Sequence, residues 1–208
     1  MSARDVVLGR VRAANAAAGS PPPPVVPRDY HRTGTRAPGH PELLELLRDR
    51  LVDYRATVLD ATPDTVPGAI ETALEGRAPV LLPPGLPVGW APGGVVDEGF
   101  SATELDGFAA VVTGCAAACA VTGTIALDAA QDQGRRALTL VPDVHVCVVR
   151  AGQVVETVPE LLARLDPVRP TTFVSGPSAT SDIELQRVEG VHGPRTLLVV
   201  LVQEASQR

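Results

Sequence analysis

Lysine is absent from this chain, and all 18 of its basic residues are arginine. The absence excludes Schiff-base catalysis, a lysine general base and a phosphate-binding loop that ends in Gly-Lys-Ser/Thr. Any anion that the protein binds must therefore be held by arginine, by backbone N–H groups, by neutral polar side chains or by the N-terminus of a helix.

Acidic residues outnumber basic ones, 24 to 18, so the formal net charge is −6. A nucleic-acid-binding surface needs a basic face, so we expect no nucleic-acid partner. No segment has the roughly 18 uninterrupted apolar residues of a transmembrane helix. Residues 1–10 carry charges where a signal peptide has its apolar core. The sequence therefore predicts a cytoplasmic protein without a membrane span.

Cysteine is rare, with only Cys115, Cys119 and Cys147. An odd count does not suggest a disulfide framework, and zinc or iron–sulfur sites usually need four ligands. Cys115 and Cys119 lie in an alanine-rich run, where cysteine behaves as a small hydrophobic residue. The chain also lacks the G-x-G-x-x-G dinucleotide motif. We therefore expect this chain to bind neither a metal nor a cofactor of its own.

Aromatic residues make up only 3% of the chain, against 45% for apolar residues, so the core must be built from Ala, Val and Leu. The composition is uniform enough to indicate one main domain. Four consecutive prolines at positions 21–24 cannot enter a helix. We therefore predict a short helix and an extended arm over residues 1–39, followed by a compact domain over residues 40–208.

Apolar strands alternate with helical segments along residues 40–208. The patterns predict helices at 41–54, 64–75 and 157–165, and a helical turn of small residues at 114–120. Strands are predicted at 80–82, 109–113, 124–127, 144–149, 172–174 and 196–202. The last of these is apolar on both faces, as a covered central strand must be. The alternation predicts an α/β fold, a three-layer sandwich with a mostly parallel sheet.

Polar, turn-forming segments border several of these strands, and open α/β sheets bind ligands at the carboxyl ends of their strands. The first segment contains Thr122, Gly123 and Thr124. Gly123 permits either an unusual backbone dihedral or the close approach of a ligand. A simple turn glycine explains the segment equally well.

The second segment contains Ser175, Gly176, Ser178 and Thr180, and leads into a helix predicted to begin near Asp182. Hydroxyl groups, free N–H groups and the N-terminus of a helix together form an anion cradle. Helix capping by a single hydroxyl is the alternative, but it leaves the other hydroxyl residues unexplained.

The third segment contains His192, Gly193 and Arg195, just before the last strand. His192 lies between glycines and titrates near neutral pH. His145 lies inside a predicted strand, where an ordinary interior histidine is the alternative to a catalytic one. The candidate catalytic residues are therefore His192, Asp182 and His145.

Four segments taken together resemble successive motifs of the LUD-domain family, most closely its lactate utilization protein C branch. They are Thr-Gly-Thr-Ile at 122–125, Leu-Val-Pro-Asp-Val-His at 140–145, Ser-Gly-Pro-Ser with Asp-Ile-Glu at 175–184, and Gly-Val-His-Gly-Pro at 190–194. The resemblance covers roughly residues 40–203. It implies a fold similar to the NagB/RpiA/CoA-transferase group.

The resemblance also implies a function. It suggests a component of an L-lactate oxidation system that acts with iron–sulfur partner proteins to form pyruvate. The alternative is an independent binder or enzyme for a small anionic ligand of a phosphorylated, CoA-like or folate-like kind.

Two positions depart from the family pattern. Val121 stands where the family often has an acidic residue, and Ala179 where it often has arginine. A carboxylate at 121 and an arginine clamp at 179 are therefore not carried over. Arg195 and Arg135 are the cations that remain to compensate.

The cysteine count and the missing dinucleotide motif give a direct prediction. The chain, expressed and purified alone, should bind no iron–sulfur cluster and no flavin. Visible absorption spectra and an iron assay test this. A brown or yellow preparation with stoichiometric iron or flavin contradicts it.

Overall fold

The computed structural model describes residues 2–19, 24–180, 188–189 and 193–203. The chain divides into two compact units, residues 1–30 and residues 31–208. The first unit contains helix α1 (Ala3–Ala17), which buries none of its side chains. Its N-terminus is closed by a capping box, in which Ser2 Oγ accepts from Asp5 N–H at 3.2 Å.

The second unit contains a six-stranded sheet, a four-stranded sheet and a two-stranded ribbon. Its helices are α2 (Pro41–Asp53), α3 (Val66–Leu74), α4 (Ala102–Leu105) and α5 (Val158–Leu162). Its strands are β1 (Thr57–Ala61), β2 (Val80–Leu82), β3 (Val95–Val96), β4 (Ala110–Thr113), β5 (Ala117–Cys119), β6 (Thr124–Leu127), β7 (Val144–Arg150), β8 (Val154–Val155), β9 (Thr172–Val174), β10 (Ala179–Thr180), β11 (Val188–Glu189) and β12 (Thr196–Val202).

The central sheet has the order β1-β12-β7-β4-β2-β3, and every neighbouring pair is parallel. Side chains on its long strands alternate between two faces. On β7, Val146 and Val148 pack with α3, whereas Cys147 and Val149 pack with α2. Both faces of the sheet are therefore covered by apolar helices, which confirms the predicted α/β class with a mostly parallel sheet.

A second, four-stranded sheet has the order β8-β5-β6-β9. Ala118, Ile125 and Val154 join it to the same core cluster as α2. On its other side, Ala117 and Cys119 pack against Leu161 of α5. The second sheet thus shares one face of the central sheet with α2.

The predicted helical turn at 114–120 is wrong, because residues 117–119 form strand β5. All three of its residues are buried, so no alternation of polar and apolar side chains marks it as a strand. Strand β1 was not predicted either. It pairs with β12 at an edge of the central sheet, and Ala61 is its only buried residue. The helix predicted at 64–75 begins instead with a 3-10 turn at Pro63–Thr65, and α3 follows it.

Residues 34–39 pack against the domain, although the prediction placed its start at residue 40. The Glu156 carboxylate accepts the backbone N–H of Arg36 at 2.9 Å and that of Thr35 at 2.7 Å. These two hydrogen bonds lower the pKa of Glu156. Gly39, with φ 77°, donates its N–H to Val154 O at 2.9 Å. These contacts anchor the segment just before α2.

Within the part of the chain that the structure describes, no helix is both long and apolar enough to cross a membrane.

Truncation separates the two parts of the N-terminal region. A chain that begins at residue 31 should melt within about 2 °C of the full chain, since α1 buries nothing. A chain that begins at residue 40 should melt several degrees lower, because Glu156 loses its N–H donors. Thermal unfolding followed by circular dichroism measures both.

The pH dependence of the two melting temperatures tests whether Glu156 is responsible for the difference. The pKa of Glu156 is lowered in the folded chain, so its contribution is full above the carboxyl's ordinary pKa and is lost as the pH falls through the lowered value. The difference in melting temperature between the two truncated chains should therefore become smaller as the pH is lowered. Glu156→Gln in the chain from residue 31 should reproduce much of the loss. Equal melting temperatures for the two truncations would show that residues 31–39 contribute nothing.

Candidate functional site

One cavity of about 240 Å³ brings several of the predicted segments together. We call it the His145 cavity. It is lined by residues 172–178, by Gly193 and Pro194, and by Arg136, Thr139, His145 and Leu197. His145 and Leu197 are each the second residue of their strand. The cavity therefore lies at the amino ends of β7 and β12, and not at the carboxyl ends as predicted.

The position of the cavity follows from the chain connections. Residues 175–178 follow β9, which belongs to the second sheet and not to the central one. Gly193 and Pro194 precede β12. Ser178 N–H donates to Pro194 O at 2.9 Å and ties the two segments together. The cavity wall is thus built where the second sheet meets the start of the last central strand.

Gly176 has a structural reason to be glycine. Its φ is 87°, a region that side chains rarely adopt, and a Cβ there would lie 2.6 Å from Tyr54 Cβ. The loop therefore turns tightly against the end of α2. Gly123 is similar, with φ 59° and a Cβ position 2.6 Å from Arg50 Cβ. In both places glycine allows the backbone to approach the end of α2.

Threonine hydroxyls support the cavity from behind. Thr122 Oγ1 donates to Thr124 Oγ1 at 2.8 Å, and Thr124 Oγ1 lies 2.9 Å from Ser175 Oγ. Of these residues only Ser175 lines the cavity. Thr122 and Thr124 are therefore supporting residues, and their hydroxyls orient that of Ser175.

Arg136 is the cation of the His145 cavity, although it was not among the predicted site residues. Its Nη1 donates to Thr139 O at 2.8 Å and to Thr139 Oγ1 at 3.1 Å, and partial burial lowers its pKa. Among the described residues, no carboxylate lies within ion-pair distance of this guanidinium. Its positive charge is therefore open to an anion in the cavity.

The neighbouring Arg135 is already paired. Its Nε and Nη2 each donate to the Asp97 carboxylate at 2.8 Å, and Nη2 also donates to Phe100 O at 2.6 Å. The paired guanidinium lowers the pKa of Asp97. Arg195 also lies elsewhere, because it lines a separate depression and its Nε is 3.6 Å from Asp143. Neither residue lines the His145 cavity, so neither compensates for the arginine missing at position 179.

His145 forms part of the floor of the cavity and is only 2% exposed. Its Nε2 lies 2.8 Å from Thr113 Oγ1, and the Thr113 hydroxyl donates to Gly114 O at 2.8 Å. Because a threonine hydroxyl has a single proton, Thr113 must accept the hydrogen bond from Nε2–H. This arrangement fixes the tautomer and leaves Nδ1 as the nitrogen able to accept a proton.

The three cysteines are all buried and free. Cys147 follows His145 on the same face of β7, and its pKa is lowered to about 5 by the Cys115 thiol and then by His145. Hydrogen bonding to Cys147 and burial raise the pKa of Cys115. Cys147 is thus the thiol that ionises more readily, although it is fully shielded from solvent.

The predicted site residues therefore divide into three groups. Ser175, Gly176, Ser178, Gly193 and His145 line the cavity. The remaining predicted residues of the structure stand behind it or away from it, namely Thr122, Gly123, Thr124 and Arg195. Asp182, His192 and the side chain of Thr180 lie outside what the structure describes.

Comparison with known proteins agrees with this arrangement of motifs. The family model of the LUD domain matches residues 102–202. Lactate utilization protein C of Deinococcus radiodurans is 46% identical over 195 residues, covering 90% of both chains. Lactate utilization protein C of Bacillus pumilus is 36% identical over 93 residues, covering 41% of this chain and 38% of its own.

A solved structure shows the same fold. The crystal structure of a DUF162-family protein from Deinococcus radiodurans matches with a TM-score of 0.67 and 40% identity. The match covers 77% of this chain and 96% of that one. The chain therefore belongs to the LUD-domain family, in the branch of the lactate utilization C proteins.

Proposed function

We propose that this protein acts in lactate utilization and that the His145 cavity binds a small carboxylate such as lactate or pyruvate. The observation that carries the proposal is Arg136, a guanidinium that lines the cavity without a carboxylate partner among the described residues. Arginine binds carboxylates through directed hydrogen bonds. The relationship to lactate utilization protein C supports the choice of acid.

The size of the cavity suits a three-carbon acid. A volume of about 240 Å³ has room for about eight water molecules at roughly 30 Å³ each. A lactate ion fits within that space together with a few waters. A CoA-like or folate-like ligand would place only one end there, which is why we favour the small acid over the independent binder of larger anions.

The chemical roles follow from the lining. Arg136 would hold the carboxylate, while the Ser175 hydroxyl offers a hydrogen bond to its oxygens. His145, with Nε2–H fixed on Thr113, would present Nδ1 toward the 2-hydroxyl or 2-oxo group. Such an imidazole can take the hydroxyl proton when lactate is oxidised.

Oxidation of lactate to pyruvate also breaks the C2–H bond. Its proton passes to solvent, and the electron pair that remains needs an acceptor. The cysteines of this chain are buried in its core. We therefore propose that iron–sulfur partner proteins accept the electrons, as the family resemblance implies. In that arrangement the chain binds and orients the acid in the cytoplasm, and the partners carry the redox centres.

The Arg136→Gln variant tests the binding role. Removing a charge-assisted hydrogen bond costs about 1.5–3 kcal/mol, so lactate and pyruvate should bind about 10–100-fold more weakly. Isothermal titration calorimetry with each acid measures this. Lactamide, which has no charge, should bind weakly to the wild-type chain and equally weakly to the variant.

Arg135→Gln is the matched control, since this neighbouring arginine pairs with Asp97 outside the cavity. It should lower the melting temperature and leave the affinity for lactate unchanged. Unchanged lactate binding by Arg136→Gln would contradict the binding role.

Growth tests the pathway separately from the pocket. A strain that lacks this chain should fail to grow on L-lactate as the sole carbon source, and the wild-type chain should restore growth. Normal growth of the deletion strain would exclude the role in lactate utilization, whatever the cavity binds.

A further inference from the structure

A second cavity, of about 330 Å³, lies on the α3 side of the central sheet. We call it the Trp90 cavity. Its walls are Ile70 and Leu74 of α3, Val80 of β2, Trp90 of the segment before β3, and the half-buried Arg77. None of these residues lines the His145 cavity. The two cavities are therefore separate.

The Trp90 cavity exists because α3 is too short to cover this face. The helix packs on β1, β12 and β7, which are three neighbouring strands of the central sheet. Over the other half, the cover is the loop between β2 and β3, with Leu86 and Trp90 packed against the core. Gly94 lets this loop approach β2, since a Cβ there would lie 2.7 Å from Leu82 Cδ1. The cavity remains between loop and helix.

Trp90 gives the cavity an aromatic wall. It is the only tryptophan of the chain and one of only a few aromatic residues. The guanidinium carbon of Arg150 lies 5.0 Å from its ring centroid, within the range of a cation–π contact. This contact holds the indole in place. A fixed indole offers a flat surface against which a ligand ring can pack.

Arg77 gives the cavity a cation that is only partly used. Its Nη1 donates to Leu74 O at 3.1 Å and to Glu75 Oε2 at 2.9 Å. Within the described part of the chain, its Nε and Nη2 make no hydrogen bond or ion pair. These donors form the planar edge that suits a carboxylate. The Glu71 carboxylate also lines the cavity, at the exposed outer side of α3.

We infer that the Trp90 cavity is a second binding site, specific for a small aromatic carboxylate. The apolar walls and the indole would hold the ring, and the free donors of Arg77 would hold the acid group. The volume is at the lower end of the roughly 300–1,000 Å³ of small-molecule sites, which limits the ligand to a single ring with short substituents. This site goes beyond the proposed role of the His145 cavity.

The single tryptophan makes the site directly observable, because its fluorescence reports on this cavity alone. Nitroaromatic acids quench indole fluorescence, so 4-nitrobenzoate serves as the probe. Titration of the full chain should give saturable quenching. The neutral isostere 4-nitrobenzamide should bind about tenfold more weakly, since it lacks the charge that Arg77 recognises. Calorimetry provides the same affinities without optical interference.

Two variants test which arginine binds the carboxylate of the probe. Arg77→Gln should bind 4-nitrobenzoate no better than the wild-type chain binds the amide. Arg136→Gln, in the other cavity, should retain the wild-type quenching curve. Quenching that rises linearly without saturation would overturn the site. Equal affinity for acid and amide, or an unchanged affinity in Arg77→Gln, would overturn the assignment of a carboxylate ligand.

Ala91→Leu provides a check on the apolar wall, because it narrows the cavity without altering charge. Saturable quenching should be weakened in a chain whose melting curve shows that it is folded. Undiminished quenching in a folded Ala91→Leu chain would place the probe elsewhere and reject the proposal. Should the variant not fold, the Arg77→Gln comparison decides alone.

Discussion

The parallel pairing of β7 and β12 is the constraint on which the rest of the molecule depends. The two strands are in register over seven residue pairs, from Val144 opposite Thr196 to Arg150 opposite Val202. Both strands are buried along almost their whole length, so each face of the sheet needs its own cover. Helix α3 covers one face, and α2 with the second sheet covers the other. Both cavities arise where this cover is incomplete.

The central strand β12 and helix α2 are the elements that the sequence predicts best. The apolar run at 197–202, preceded by Thr196, is typical of a strand covered on both faces, and the structure has β12 over Thr196–Val202. The helix predicted at 41–54 is present as Pro41–Asp53. Its leucines recur at the helical period, and Pro41 marks its start. Strand β5 was hidden, since its Ala-Ala-Cys sequence is buried on both sides and carries no periodicity. Local pattern fails where tertiary burial removes the contrast between faces.

The sequence predicted the loops of the candidate site but not the arginine that supplies its charge. Glycine and hydroxyl residues in segments 175–178 and 193–194 pointed to the wall of the His145 cavity. Nothing local distinguishes Arg135 from Arg136, which are adjacent in sequence. The difference is made by Asp97, which lies far away in the chain and neutralises only the first of them. Whether an arginine is paired depends on which residues the fold brings close to it, so the sequence pattern alone does not predict it.

The placement of His145 on β7 separates what is rigid in the site from what can change. Its ring is fixed by Thr113 on the adjacent strand, so it cannot move unless the paired strands move with it. The wall at 175–178, in contrast, is a loop attached to the second sheet. Substitutions there alter the shape of the cavity without disturbing the central strands. In evolution, such a site can change the acid that it accepts while keeping the same proton acceptor.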